Sequence, residues 1–174
     1  MQPAAIIDEV KKSDLRGRVR VIAAGKLVTS AKAAWALCMG ADFINSARGF
    51  MFALGCIQAQ TCHTGNCPTG VTTQDPTRQM ALVVPSKAER VHNFHTHTLE
   101  ALQELMEASG LQTPHDFTPR HIMRRVSETQ TLHLSELVDT LAPETLLQSD
   151  ISALPAVFSD WPLTSASSFA MKTA

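Results

Sequence analysis

Residues 19–49 read VRVIAAGKLVTSAKAAWALCMGADFINSARG, and the outline of a sheet with its connecting helix lies within them. The apolar run at residues 19–24 predicts a strand that is buried on both faces of a parallel sheet. Thr29 or Ser30 can cap the Ala-rich segment at residues 31–39, which predicts a helix. A strand is therefore followed directly by a helix.

The pattern repeats once in the next residues. Gly40 stands where a glycine commonly ends a helix, and residues 41–46 predict a second short strand. Residues 49–57 then predict a second helix after a short connection. This strand–helix–strand–helix order is typical of an α/β fold with parallel strands.

The composition of the whole chain excludes several classes of protein. The 174 residues are 44% hydrophobic and 18% charged, with a net charge of −1. The chain is too apolar and too evenly charged for a disordered protein, and it has no net positive charge to favour a nucleic-acid backbone. The longest near-apolar run, residues 50–57, is too short to span a membrane, and residues 1–10 form no signal peptide. We expect a cytoplasmic protein.

The second half of the chain changes character. Residues 61–76 are rich in Gly, Thr, Cys and Pro and predict a loop. Ser86 and Glu89 form a capping box that predicts the start of a helix over residues 87–109. Further helices are predicted by shorter patterns, at residues 4–12, 118–126 and 135–141.

Three cysteines are the strongest chemical signal. Cys56, Cys62 and Cys67 are separated by five and four residues, and Cys38 stands apart. Without a secretion signal, such thiols indicate a metal site or catalysis rather than disulfides. Three thiols favour an iron–sulfur cluster of the 3Fe–4S type. A zinc site with His63 as the fourth ligand is the alternative, although its adjacency to Cys62 strains a tetrahedral shell, and structural or redox thiols are a third.

A second signal follows the two predicted strands. Gly25 and Lys26 follow the first strand, and Ser46, Ala47 and Arg48 follow the second. Ligands of parallel α/β folds bind at this end of the strands, where loop amides and a helix N-terminus can hold a phosphate. The sequence therefore predicts an anion cradle, although Gly25 as a simple turn and Arg48 as a surface charge explain the same residues.

These motifs resemble the C-terminal part of the FMN-binding synthase domain of the glutamate synthase family. The likeness is strongest to the shorter FMN-binding proteins of that family, which lack the glutaminase domain, and its strong part covers about a third of the chain. The matching segments are RVIAAGKLVT (20–29), LCMGAD (37–42), NSAR (45–48), ALGCIQ (53–58), CHTGNCPTGV (62–71) and TQDP (73–76).

The resemblance implies a TIM-barrel domain that carries FMN and a 3Fe–4S cluster and reduces 2-iminoglutarate, formed from 2-oxoglutarate and ammonia, to L-glutamate. It implies that Gly25, Lys26 and the Ser46–Ala47–Arg48 turn hold the FMN phosphate, and that Cys56, Cys62 and Cys67 ligate the cluster. The larger enzymes usually have a second glycine where this chain has Ala24.

The chain holds only the last two strand–helix units of such a barrel, which typically needs about 250 residues. The division expected is a partial barrel at residues 1–110 with its cluster loop at 56–76, a helical extension at 111–150 and a flexible tail at 151–174. Catalytic residues are expected in the missing N-terminal part, so we expect no activity from the chain alone. Its expected partners are that barrel segment and an electron-donor protein or reductase subunit, and the alternatives are a zinc-stabilised interaction module or a remnant without function.

Overall fold

The computed structural model describes residues 16–138. The chain divides into two compact units, of which one is residues 21–122. The described part of the other unit consists of residues 16–20 and 123–138. The helix predicted at residues 4–12, the tail and the end of the extension lie outside the described residues.

Two short parallel strands lie at the centre of the first unit. Strand β1 (Ile22–Ala24) pairs with β2 (Phe43–Asn45), with Ile22 opposite Phe43 and Ala24 opposite Asn45. Helix α1 (Ser30–Cys38) connects them. The predicted α/β class and the strand–helix–strand order are confirmed.

Helix α1 begins and ends where the sequence predicts. The Thr29 hydroxyl accepts a hydrogen bond from the backbone N–H of Lys32 at 3.4 Å, and Gly40 follows the helix with φ +92°. Cys38 is 1% exposed, and burial raises the pKa of its thiol to about 11. Cys38 is therefore a small core residue, as its Ala-rich surroundings predict, and is poorly suited to be a thiolate ligand.

The sheet buries only one face within the described part of the chain. Ala23 and Ile44 pack against the core, whereas Ile22 is 61% and Phe43 is 58% exposed. The prediction of a strand buried on both faces is wrong for residues 16–138, because α1 covers one face of the two strands and nothing among these residues covers the other.

Three further helices complete this unit. Helix α2 (Ala47–Leu54) ends at Gly55, and the short α3 (Pro76–Gln79) precedes the long α4 (Val84–Ala108). Helix α4 packs against both α1 and α2. Its contact with α2 includes an edge-to-face pair between Phe50 and Phe94, whose ring centroids lie 5.2 Å apart. No helix within residues 16–138 is both long and apolar enough to cross a membrane.

The long helix starts three residues earlier than the sequence predicts, and it lacks the predicted Ser86 cap. Helix α4 starts at Val84 with Pro85 in its first turn, so Ser86 is already inside the helix and does not cap it. Proline suits this place because its fixed φ matches the helix and its missing N–H has no partner to lose there. The predicted end is confirmed, since Gly110 follows the helix with φ +71°.

The helix predicted at residues 118–126 is wrong. Pro119–His121 makes only one 3-10 turn, and strand β3 (Met123–Arg125) then pairs antiparallel with β4 (Thr131–His133). Ser127 closes the connection, because its hydroxyl accepts from the backbone N–H of Gln130 at 3.1 Å. Helix α5 (Leu134–Leu137) follows β4 and is shorter than the helix predicted there, whose end lies outside the described residues.

Candidate cofactor site

A cavity of about 510 Å³ opens at the carboxyl ends of β1 and β2. Gly25 and Lys26 line it from the first strand end, and Ala47 and Arg48 line it from the start of α2. The short connections after both strands place these four residues together, because parallel strands end at the same edge of a sheet. The structure therefore brings four of the five predicted phosphate residues to one cavity.

The fifth predicted residue faces elsewhere. The Ser46 side chain lines a different cavity of about 300 Å³, together with Phe50, Phe94 and His95. Its hydroxyl oxygen is buried and makes no hydrogen bond among the described residues. Ser46 therefore contributes only its backbone at the start of α2, beside the 510 Å³ cavity that Ala47 and Arg48 line.

The electrostatics of the 510 Å³ cavity suit an anion. Lys26 and Arg48 contribute positive charge, and no carboxylate is found among the described residues that line it. Helix α2 has no acidic residue in its first turn, so its free N–H groups and the positive end of its dipole are not neutralised locally. A phosphate group fits this donor set.

Backbone strain is concentrated around the same cavity. Gly25 has φ +118°, and a Cβ added there would meet open space. Lys26, Gln58 and Gln60 have φ between +56° and +58°, and they are the non-glycine residues with positive φ within residues 16–138. All three line the cavity. Non-glycine residues in this conformation cost about 1–2 kcal/mol each and cluster at functional sites. Sequence reasoning missed Gln58 and Gln60, because no residue pattern marks a left-handed glutamine.

The three clustered cysteines border one small space. Cys56, Cys62 and Cys67 all line a second, adjoining cavity of about 10 Å³, and Cys56 and Cys62 also line the 510 Å³ cavity. No three His, Cys, Asp or Glu side chains within residues 16–138 lie close enough together to hold a single metal ion. His63, the fourth ligand of the zinc alternative, does not line either cavity. The linings of these cavities therefore bring the three thiols to one space and do not include His63.

Cys67 is the cysteine whose thiolate is most favoured. Its side chain is 7% exposed, and its sulfur lies 3.5 Å from the Thr69 hydroxyl oxygen. A hydrogen bond from the Thr69 side chain, and then the backbone and side chain of Thr72, lower the pKa of Cys67 to about 6, against the opposing effect of burial. The Thr72 hydroxyl oxygen is itself buried and has no hydrogen-bond partner among the described residues. Sequence reasoning missed both threonines; a hydroxyl two residues after a candidate ligand cysteine is the available signal for Thr69, and no pattern marks Thr72.

Two glycines shape the loop that carries the cysteines. The Gly65 N–H donates to the Cys62 carbonyl, and the Gly70 N–H donates to the Cys67 carbonyl, both at 3.3 Å. A Cβ added to Gly70 would overlap the carbonyl of Arg78. Arg78 also donates to the Asn66 carbonyl at 3.3 Å, so α3 holds the loop beside the last cysteine.

Comparison with known protein families gives a match to more than half of the chain. A family described as "Conserved region in glutamate synthase" matches residues 4–112. The chain belongs to the glutamate synthase family. The predicted resemblance is confirmed, and the matched residues include both strand ends and all three clustered cysteines.

Relatives in the glutamate synthase family come from several lineages. The chain is 41% identical to the glutamate synthase large subunit-like protein YerD of Bacillus subtilis, over 79% of this chain and 26% of that protein. It is 35% identical to ferredoxin-dependent glutamate synthase 2 of Synechocystis, over 74% of this chain and 8% of that protein. It is 32% identical to an archaeal glutamate synthase (NADPH) of Methanocaldococcus jannaschii, over 65% and 22%. The chain thus spans about a quarter or less of the length of these relatives.

Proposed function

We propose that residues 21–122 form the FMN-phosphate and cluster-binding end of a glutamate-synthase-like oxidoreductase. One observation carries the proposal: a single cavity is lined both by the anion-suited strand ends and by two of the clustered cysteines. The reaction proposed for the enzyme to which these residues contribute is the reductive amination of 2-oxoglutarate to L-glutamate through 2-iminoglutarate.

The residues at the strand ends would hold the FMN phosphate. Gly25 lets the backbone approach the phosphate, and the first-turn amides of α2, which begins at Ala47, donate hydrogen bonds to it. Lys26 and Arg48 balance its charge. FMN, when bound, supplies hydride transfer, while this chain fixes the position of the phosphate and excludes competing anions from the cradle.

The cysteines would hold the cluster where the two cavities adjoin. Cys67 is the ligand best prepared as a thiolate, and Cys56 and Cys62 face both cavities. A bound 3Fe–4S cluster supplies one-electron transfer. Because Cys56 and Cys62 border the proposed flavin-phosphate cavity, this chain would hold the cluster close to the phosphate end of FMN.

The exposed face of the sheet supports a place for these strands in a larger barrel. Ile22 and Phe43 lie opposite each other on that face, and both are more than half exposed. A parallel sheet normally has both faces covered, so we propose that further strands of a TIM barrel cover this face, on the same polypeptide or another. An electron-donor protein is the second partner that the proposed reaction requires.

Anaerobic purification with iron and sulfide analysis and EPR tests the cluster. We expect iron and acid-labile sulfide in the full chain and their loss in Cys62→Ser, whereas the matched variant Cys38→Ala keeps them because Cys38 is a core residue away from both cavities. A chain that stays colourless and iron-free after reconstitution, or that holds stoichiometric zinc instead, contradicts the proposal.

Titration with FMN tests the phosphate cradle. In a protein that joins this chain to the further barrel strands, we expect Arg48→Ala to weaken FMN binding by about tenfold or more, since it removes a charge-assisted contact. Lys32→Ala removes the same charge from the exposed side of α1 and should leave FMN affinity unchanged. Equal FMN affinities of the Arg48→Ala and Lys32→Ala proteins would show that Arg48 does not bind the FMN phosphate.

A further inference from the structure

Two threonines, Thr69 and Thr72, share a small cavity with Cys67. The Thr69 hydroxyl oxygen is 3.5 Å from the Cys67 sulfur, within hydrogen-bond distance for this atom pair. Thr69 and Thr72 both line the small cavity that the three clustered cysteines share. The two threonines are therefore placed beside whatever the cysteines hold.

The Thr72 hydroxyl lacks a satisfying partner. Its oxygen is buried and has no hydrogen bond of full geometry among the described residues. Burial of a hydroxyl without a partner is unfavourable, so an acceptor placed beside it would stabilise the loop. A cysteine thiolate bound to iron, or a sulfide of the cluster, is an anionic acceptor in the space that this side chain already lines.

The neighbouring Thr73 shows what a purely structural threonine in this loop does. Thr73 is 7% exposed, its hydroxyl accepts from the Asp75 N–H at 3.1 Å, and its carbonyl accepts from the Gln79 side chain at 2.8 Å. Its polar groups are used to join the loop to α3. The Thr69 hydroxyl instead lies at the Cys67 sulfur, and the buried Thr72 hydroxyl has no hydrogen-bond partner among the described residues.

We propose that Thr69 and Thr72 are positioning residues that donate hydrogen bonds to the Cys67 sulfur and raise the reduction potential of the cluster. This inference rests on the proposed function, because it requires that the cysteines hold a cluster. One-electron reduction adds negative charge to the cluster and its thiolates. Hydrogen-bond donors at a sulfur stabilise the more negative, reduced state, so their removal shifts the potential to a more negative value.

An EPR-monitored redox titration of the reconstituted full chain, with dithionite as the electron donor, tests the proposal. We expect Thr69→Val and Thr72→Val to bind as much iron and sulfide as the unaltered chain, with midpoint potentials shifted to more negative values. Thr72→Ser restores the hydroxyl and should return the potential. Thr73→Val removes a loop hydrogen bond and should lower stability without moving the potential.

The outcomes separate this inference from the proposed function. An unaltered chain that takes up no cluster contradicts the proposed function, and this inference with it. A normal cluster with unchanged potential in both valine variants overturns the inference alone. If the Thr72→Val chain is folded by circular dichroism but holds no cluster, the Thr72→Ser variant decides between two outcomes. A cluster retained in Thr72→Ser supports the role of the hydroxyl, and a cluster lost in both variants contradicts it.

Discussion

The position of Gly70 requires both a left-handed backbone and the absence of a Cβ, and only glycine meets both requirements. It has φ +79°, and a Cβ there would overlap the Arg78 carbonyl, whereas Gly65 has φ +73° with open space around it. Alanine at either position costs about 1–2 kcal/mol for the left-handed backbone, but only at Gly70 must the backbone of the loop also move. We expect Gly70→Ala to lower both the free energy of unfolding in urea and the iron bound per chain more than Gly65→Ala does. Equal losses would show that the approach of Arg78 has no effect.

The sequence predicts which strand-end residues come together where their backbone position decides the outcome. Gly25, Lys26, Ala47 and Arg48 meet because strand ends in a parallel sheet are adjacent, which is a property of the pattern itself. The direction of the Ser46 side chain was not predictable, because it depends on packing beside Phe94, a residue far away in the chain.

At the scale of elements, short turns depend on single polar side chains. Asp116 ends the 3-10 turn Pro114–Asp116, where its carboxylate accepts from the Thr113 N–H at 2.7 Å. This hydrogen bond, together with one from the Thr113 side chain, lowers the pKa of Asp116 below its ordinary value of 3.8. This 3-10 turn places Phe117 in the core, where it packs against α1.

This carboxylate predicts a pH dependence of stability on the acid side. Because the pKa is lower in the folded chain, the stabilisation is fully present above the ordinary value of 3.8 and is lost as pH falls through the folded-state pKa. We expect Asp116→Asn to lower the free energy of unfolding at about pH 7, with a difference from the unaltered chain that shrinks on acidification to about pH 3. Urea titrations across that range measure it. A difference that stays constant with pH would show that the charge of Asp116 does not stabilise the turn.

Helix α1 is predicted correctly from local signals, whereas the β3–β4 hairpin is not predicted. Helix α1 has a capping threonine and a terminal glycine, and both act as the sequence indicates. The sequence predicts a helix over residues 118–126, which include β3, because Thr118 followed by Pro119 can start a single 3-10 turn as well as a helix. No sequence pattern within residues 123–125 indicates that they pair with residues 131–133.

At the scale of the whole molecule, the two faces of the β1–β2 sheet differ in a way that the apolar run at residues 19–24 does not reveal. The pattern predicts burial of both faces, which holds for a strand inside a complete parallel sheet. Within the described residues only the face with Ala23 and Ile44 is covered. The strands themselves form as predicted. The difference is that no described residue packs on their second face.

This difference makes a prediction about stability. Ile22 is 61% exposed, whereas Ile44 packs against both core clusters of the first unit. We expect Ile22→Ser to change the free energy of unfolding of the full chain by about 0.5 kcal/mol or less, as for other exposed positions, and Ile44→Ala to lower it by about 2–4 kcal/mol. Urea denaturation followed by circular dichroism compares the two variants with the unaltered chain. If Ile22→Ser destabilises the chain as much as Ile44→Ala does, its face is already covered within this polypeptide. If it does not, the face is free to receive the further strands that the proposed barrel requires.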